Sequence, residues 1–228
     1  MLAPIVRIRP ARPLEPTRLQ PRFRPSSLPG SRRFRMSTVE FASDTVTVAK
    51  PIGLSHRRWK GHPRPGIDFP DINTVCEDAV QVNRIVANLL PVLREDTQII
   101  AGIDLGGAAL AGALAASHGA GFVHVRKVGS LRTDIIRSVV ANHEIGHGLA
   151  LSKNVPIAGR RVAIVDDCLL SGATALASIQ LLRELGALCD QALFAFEIEG
   201  LGGARLLAQA GVEVHAVAIV PPQEPASG

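Results

Sequence analysis

The residues best suited to chemistry are two adjacent carboxylates, Asp166 and Asp167, followed by a turn of small and polar residues. The turn, 170–174, reads Leu-Ser-Gly-Ala-Thr. Backbone N–H groups at the start of a helix point at anions such as phosphate, and hydroxyl side chains add donors. Because like charges repel, the carboxylates suit a neighbouring group with hydroxyls, such as a ribose, or a bound Mg²⁺. The stretch predicts a site for a phosphorylated sugar, with an ordinary acidic turn as the alternative.

A strand and a helix must hold this stretch in place. Val162–Val165 is a short apolar run rich in β-branched residues, which is typical of a buried parallel strand. Thr174 begins a stretch in which apolar residues recur with helical spacing, and Gly186 is a typical helix stop. Strand, acidic pair, glycine-containing turn and helix start together predict a phosphate cradle.

A second strand-to-helix turn lies earlier in the chain. Thr97–Asp104 predicts the first core strand, and Leu105-Gly106-Gly107 separates it from an alanine-rich helix. A glycine pair between a strand and a helix is a weaker signal for anion binding. The next predicted strand, 121–126, ends in Arg126 and is followed by Lys127, and these two cations would meet a polyanion well.

The remaining pattern completes an α/β order. A helical period runs from Asn73, as its N-cap, to Arg94, with Pro91 expected to bend or end the helix. Another helix is expected between Gly200 and Gly211. Strands are expected near 191–197 and 212–220. The sequence therefore predicts an α/β fold with a doubly wound, mostly parallel sheet and helices on both faces. Its 228 residues, 46% hydrophobic, suit one such domain.

The positive charge is concentrated at the beginning of the chain. The formal net charge is +5, yet residues 1–35 hold nine arginines and one acidic residue, Glu15. The remainder is slightly acidic, so a surface for nucleic acid is not expected. We predict a disordered Arg/Pro-rich tail over 1–38 and a folded domain over 39–228. The tail is either a targeting segment or, as we favour, sequence upstream of a natural start at Met36.

Cysteine and hydropathy patterns bear on the compartment. The three cysteines show no disulfide or metal spacing, and no apolar run reaches the length of a transmembrane segment. We expect a cytoplasmic location and no membrane partner. Cys168, beside the acidic pair, could be a nucleophile, but carboxylates raise the pKa of a neighbouring thiol and favour the interpretation as a small apolar filler.

Two stretches resemble a known family. Val-Asp-Asp at 165–167 followed by Ser171-Gly172-x-Thr174 is similar to the phosphoribosyl-pyrophosphate (PRPP) signature of type I phosphoribosyltransferases. The run His62-Pro-Arg-Pro-Gly-Ile-Asp-Phe-Pro-Asp-Ile72 looks like the Pro-Lys-Pro-Gly-Ile-x-Phe-Arg-Asp-Ile stretch of adenine phosphoribosyltransferases. The resemblance extends from about Gly61 to Val220. It implies a small N-terminal hood, around residues 50–75, that covers a nucleobase.

By this resemblance the chain is an enzyme of purine salvage. It would transfer 5-phosphoribose from PRPP to a purine base, most readily adenine, and give the nucleoside monophosphate and pyrophosphate. Mg²⁺ would be the cofactor, held mainly through PRPP and without a protein metal site, and would neutralise charge on the leaving pyrophosphate. Family members are commonly homodimers, so a homodimer is expected.

The resemblance also implies a role for each candidate residue. Asp166 and Asp167 would hold the ribose hydroxyls, and Phe69 would stack on the base, with a plain core aromatic as the alternative. A flap between 128 and 157 would close over the reaction. Its Glu144, in His-Glu-Ile-Gly where the family has Leu-Glu-Tyr-Gly, would be the acid/base, with a solvated loop glutamate as the alternative. The 5′-phosphate would be bound by Leu170, Ser171, Gly172, Ala173 and Thr174, and the pyrophosphate by Asp104, Leu105, Gly106, Gly107, Arg126 and Lys127.

The chain departs from the family at three cations. The hood motif Phe-Arg-Asp is Phe69-Pro70-Asp71 here, Ser-Arg-Gly of the pyrophosphate loop is Leu105-Gly106-Gly107, and Ser130 stands where a lysine is expected. Fewer cations weaken the case for adenine and for tight PRPP binding. A non-catalytic regulator that binds PRPP or a nucleotide on the same fold is the alternative function.

A competing motif lies in the flap. His143-Glu-Ile-Gly-His147 matches the H-E-x-x-H motif of zinc proteases, which needs both histidines on one face of a helix. Gly146 would interrupt that helix, and Lys153 stands where the extended motif has its third histidine. A zinc protease is therefore the least favoured of the three hypotheses.

Overall fold

The computed structural model describes residues 52–128, 135–138, 148–152 and 155–223. The predicted tail and its boundary with the domain lie outside the described residues. So do Glu144 and the two histidines of the H-E-x-x-H motif. The role of Glu144, the zinc hypothesis and the division into tail and domain therefore stay predictions.

Nine strands and five helices are present in the described residues, with strands and helices alternating from β3 onward apart from β4–β7. In chain order they are β1 (Arg58–Trp59), β2 (Phe69–Pro70), α1 (Ile72–Cys76), α2 (Ala79–Leu89), β3 (Ile99–Ile103), α3 (Asp104–His118), β4 (Gly121–Val128), β5 (Ile135–Ser138), β6 (Gly148–Ser152), β7 (Arg161–Leu169), α4 (Ala173–Glu184), β8 (Leu188–Ile198), α5 (Gly203–Gln209) and β9 (Glu213–Val220).

Seven of these strands form one sheet in the order β5-β6-β4-β3-β7-β8-β9. The five strands from β4 to β9 in that order are parallel, whereas β6 joins β4, and β5 joins β6, in antiparallel pairs. The chain moves outward from β3 to β4 and later returns to the other side of β3 as β7. Ligands of open α/β sheets bind at such a switch point, at the carboxyl ends of the strands. The predicted doubly wound, mostly parallel sheet is confirmed.

Two apolar cores lie on the two faces of the sheet. Leu110 of α3 belongs to one core and Ile179 of α4 to the other. Because successive strand residues point to opposite faces, Val165 of β7 packs in the first core and Ile164 in the second. Each fully buried side chain of this size contributes about 1.5–3 kcal/mol. The central strands are therefore a firm support for residues at their carboxyl ends.

Two helices, α1 and α2, stand where one helix was predicted from Asn73 to Arg94. Asp71, and not Asn73, caps the first helix, since its carboxylate accepts from the Asn73 backbone N–H at 3.0 Å. Asp78 caps the second by accepting from the Val80 N–H at 2.8 Å. An aspartate side chain satisfies the free N–H groups of a helix start, which is why it divides the predicted helix here. Among the described helices, none is long and apolar enough to cross a membrane.

Candidate active site

The acidic pair lies inside the last part of β7. The sequence had predicted that the strand ends at Val165, before the pair. The strand continues to Leu169 because β8 supplies partners beyond Val165: Asp166 is paired with Phe194 and Cys168 with Phe196. Asp166 is only 7% exposed, and its Oδ1 accepts from the Asp167 backbone N–H at 3.0 Å. The two carboxylates therefore lie near the carboxyl end of β7, at the switch point of the sheet.

Burial dominates the electrostatics of this pair. It raises the pKa of Asp166 well above the usual aspartate value, and the charge of Asp167 raises it further. Burial also raises the pKa of Asp167, against a lowering by the hydrogen bond with Asp166. The Lys127 ammonium lowers both pKa values. A ligand that brings hydroxyl donors or a cation would stabilise the ionised carboxylates.

The predicted turn after the pair leads directly into α4. Gly172 is the N-cap of this helix and has a φ of +80°, a conformation that favours glycine. A Cβ at this position would lie 2.9 Å from the backbone oxygen of Gly203, at the start of α5. Gly172 itself has no side chain to bond the first N–H groups of α4. The predicted helix start near Thr174 and the stop at Gly186 are confirmed.

A cavity of about 590 Å³ opens over the turn and the acidic pair. It brings together residues that are far apart in the chain, from the hood, β4, β7 and the turn before α4. The predicted site residues that line it are Phe69, Lys127, Asp166, Asp167, Leu170, Ser171, Gly172, Ala173 and Thr174.

Four of the predicted pyrophosphate residues, Asp104 to Gly107, form the first turn of α3 and not a loop, since that helix begins at Asp104. A Cβ on Gly106 would lie 2.5 Å from Asp167 Oδ2, and one on Gly107 would lie 2.5 Å from the backbone oxygen of Val165. Only glycine lets the ends of β3 and β7 approach this closely. The first turn of α3 is thus packed directly against the acidic pair.

Of the residues that flank the acidic pair, some line the cavity and others face solvent. Lys127 Nζ lies 3.9 Å from Asp104 Oδ2 and lines the cavity. Arg126 is exposed and is absent from the cavity lining, because neighbouring residues of β4 point to opposite faces. Leu105 is 81% exposed. Asp104, Gly106 and Gly107 are also absent from the cavity lining, and the pyrophosphate roles of all six residues stay predictions.

The hood is a β1–β2 hairpin with a proline-rich loop. Phe69 lines the cavity, and the His62 ring meets it edge-on with 5.6 Å between ring centroids. The Asp68 backbone N–H donates to the Pro222 oxygen at 2.6 Å, which ties the hairpin to the segment after β9. His62 and Arg64 also line the cavity but were not predicted as site residues. Both belong to the run 62–72 that also contains Phe69, and this shared run was the sequence signal that could have identified them.

Cys168 lines the cavity as an inert thiol. Burial raises its pKa well above the usual value, and the charges of Asp167 and Asp166 add to the effect. A thiol with a raised pKa is a poor nucleophile at neutral pH. This agrees with the interpretation of Cys168 as a small apolar filler.

Comparison with known proteins identifies the family. No protein-family model matches the chain. It is 35% identical over 172 residues to an adenine phosphoribosyltransferase of Beijerinckia indica, covering 74% of this chain and 96% of the relative. The corresponding protein of Mesorhizobium japonicum is 37% identical over 163 residues, covering 71% and 90%. The solved adenine phosphoribosyltransferase of Rhodothermus marinus is 31% identical, with a TM-score of 0.65 and coverage of 72% and 94%. The Giardia lamblia structure complexed with 9-deazaadenine, at 23% identity and a TM-score of 0.65, shares the fold over 72% of this chain and 93% of its own. The chain belongs to the adenine phosphoribosyltransferase family of type I phosphoribosyltransferases.

Proposed function

We propose that this protein transfers 5-phosphoribose from PRPP to adenine and releases AMP and pyrophosphate, a reaction of purine salvage. The observation that carries the proposal is the cavity at the switch point, where an acidic pair, the glycine-capped start of α4 and an aromatic side chain share one space. Membership of a family whose relatives are adenine phosphoribosyltransferases supports the same reaction. It does not favour the regulator alternative.

Different residues of the site bind different parts of the substrates. The turn 170–174 receives the 5′-phosphate on its N–H groups and hydroxyls, and the ribose hydroxyls donate to Asp166 and Asp167. Such donors favour the ionised carboxylates, whose negative charge stabilises the positive charge that develops on the ribose as the bond to pyrophosphate breaks. A new bond then forms to an imidazole nitrogen of the base, and the proton of that nitrogen leaves. We assign this proton to Glu144 of the flap.

The donor set fits Mg²⁺ brought by the substrate. Among the described residues, no cluster of three or more histidine, cysteine, aspartate or glutamate side chains could hold a metal ion alone. Asp104, beside Lys127, and Asp167, beside Gly106, offer carboxylate oxygens, the ligands that Mg²⁺ prefers. They would complete a coordination shell supplied mainly by PRPP and water. When bound, Mg²⁺ supplies charge neutralisation for the departing pyrophosphate. A cytoplasmic location, expected from the cysteine and hydropathy patterns, and a homodimer, expected from the family resemblance, remain proposals.

The test is an assay of the full chain with Mg²⁺, PRPP and one base at a time. The bases are adenine, hypoxanthine, guanine, xanthine and orotate, and both pyrophosphate release and nucleotide formation are followed. We expect turnover with adenine and its loss in the double variant D166N/D167N. Turnover with a different base would move the specificity and keep the chemistry. Measurable PRPP binding without turnover of any base would establish the regulator instead.

A further inference from the structure

Arg58 occupies a special place in the hood. It stands directly opposite Pro70 in the β1–β2 hairpin, while Trp59 stands opposite Phe69. Directly opposed residues of an antiparallel pair project to the same face, with Cβ atoms about 5 Å apart. Phe69 lies on the face of the hairpin that borders the cavity. Arg58 lies on the opposite face, together with the buried Pro70.

The guanidinium of Arg58 is tied into the body of the protein. One terminal nitrogen, Nη2, donates to the backbone oxygen of Pro221, in the segment that follows β9. Its Nε is buried and has no hydrogen-bond partner among the described residues. Arg58 thus joins the hairpin to the segment after β9.

We propose that Arg58 is a positioning residue of the base subsite: its tie to Pro221 holds the β1–β2 hairpin, and with it Phe69, over the cavity. Arg58 lies on the other face of the hairpin and does not line the cavity, so it acts on the base through Phe69. The inference rests on the proposed function and adds to it a residue that positions the side chain over the base.

Arg57 provides a matched control. It is the neighbouring arginine of the same segment, but its side chain forms an exposed ion pair with Glu77, with 3.4 Å between Nη2 and Oε1. Exposed ion pairs of this kind contribute little to the free energy of folding. Replacement of either arginine by glutamine removes one charge from the hood, and only Arg58→Gln removes the tie to Pro221.

The experiment measures KM for adenine and KM for PRPP in the full chain and in the variants R58Q, R57Q and R58K. The bond from Arg58 to Pro221 lies within the protein, so its loss weakens base binding only by making displaced positions of the hairpin more populated, by up to about tenfold. We expect R58Q to raise KM for adenine several-fold, up to about tenfold, and to leave KM for PRPP within about twofold, with R58K in between and R57Q like the wild type. A simple loss of folding would lower the apparent kcat and the Tm and leave both KM values unchanged.

The outcomes separate the two levels of the proposal. Equal effects of R58Q on both substrates, or no difference between R58Q and R57Q, would overturn the role of Arg58 while leaving the reaction intact. If the wild type does not turn over adenine, calorimetric titration with AMP and with PRPP replaces the KM values. A selective loss of AMP affinity in R58Q then still supports the role of Arg58. Absence of AMP binding in the wild type would overturn the role together with the proposed function.

Discussion

Replacement of Gly106 by alanine is the sharpest test of the junction between α3 and the acidic pair. The new Cβ would lie 2.5 Å from Asp167 Oδ2 and 2.7 Å from its Cγ. Real Cβ atoms do not approach other atoms this closely, so something must move. The carboxylate is the end of a side chain, whereas Gly106 belongs to a helix and β7 is a central strand of the sheet. We therefore expect the Asp167 carboxylate to rotate away from the position in which it would receive a ribose hydroxyl. Because the new Cβ would also lie 2.9 Å from the Asp167 Cβ, which rotation does not move, a small backbone shift should accompany it.

The size of the effect follows from the interaction that is lost. A hydrogen bond to a charged group contributes about 1.5–3 kcal/mol, which corresponds to a loss of about 10- to 150-fold in kcat/KM for PRPP. The effect on stability should be smaller. Overpacking costs about 1–3 kcal/mol, and alanine regains up to about 1 kcal/mol over glycine in a helix. Activity should therefore fall by much more than the Tm alone would suggest.

Gly112 supplies the control within the same helix. A Cβ on Gly112 would meet nothing within 4 Å. G112A should keep full activity and gain up to about 1 kcal/mol, or roughly 2–4 °C in Tm for a chain of this size. The assay is kcat/KM for PRPP with thermal unfolding of each variant. If G106A retained kcat/KM within about twofold of the wild type, the close packing of α3 against Asp167 would have no part in substrate binding.

Three further predictions concern titration and thiols. Because the pKa of Asp166 is raised in the folded chain, the folded state binds more protons than the unfolded chain between the two pKa values, and the free energy of unfolding falls as pH rises through that range. D166N should therefore raise the Tm at neutral pH while it removes turnover; a lower Tm would contradict this. Lys127 lowers the pKa of both aspartates, so K127Q should shift the acid limb of the pH profile of kcat/KM to higher pH, and an unshifted limb would exclude that coupling. Alkylation should modify the exposed Cys76 first and leave Cys168 and Cys189 protected, because both are buried and burial raises the pKa of Cys189 to about 12. Mass spectrometry of the peptides identifies the modified residue, and early labelling of Cys168 would refute its inert role.

Local patterns were enough to predict the centre of the site. The adjacent aspartates, the glycine turn before α4 and the stop at Gly186 all depend on interactions within about 20 residues of chain, so residue type and spacing specify them. The split between α1 and α2 was missed because Asp78 has two possible roles, as a polar helix residue or as a cap, and only the fold chooses. Apolar spacing across 73–94 suits both arrangements.

Contacts between distant segments were beyond prediction from the sequence. Lys127 and Arg126 are adjacent and of similar chemistry, and only the pleat of β4 sends one to the cavity and the other away from it. Gly203 supports the phosphate turn from the start of α5, about 30 residues later in the chain. Arg58 meets Pro221 across almost the whole domain. These contacts depend on register and on packing between elements, which single-chain periodicity does not contain.

The missing cations acquire a physical explanation from this packing. An arginine at position 106 would need a Cβ where Asp167 now lies, so the glycine and the position of that carboxylate are coupled. Compared with the family's arginine, Gly106 brings no charge, but it allows close contact between the ends of β3 and β7. Lys127 and Arg64 then supply cationic side chains at the cavity, beside Asp166 and the hood. With fewer fixed cations, we expect the proposed binding of pyrophosphate to depend more on the accompanying Mg²⁺ than it would in a site built around arginines.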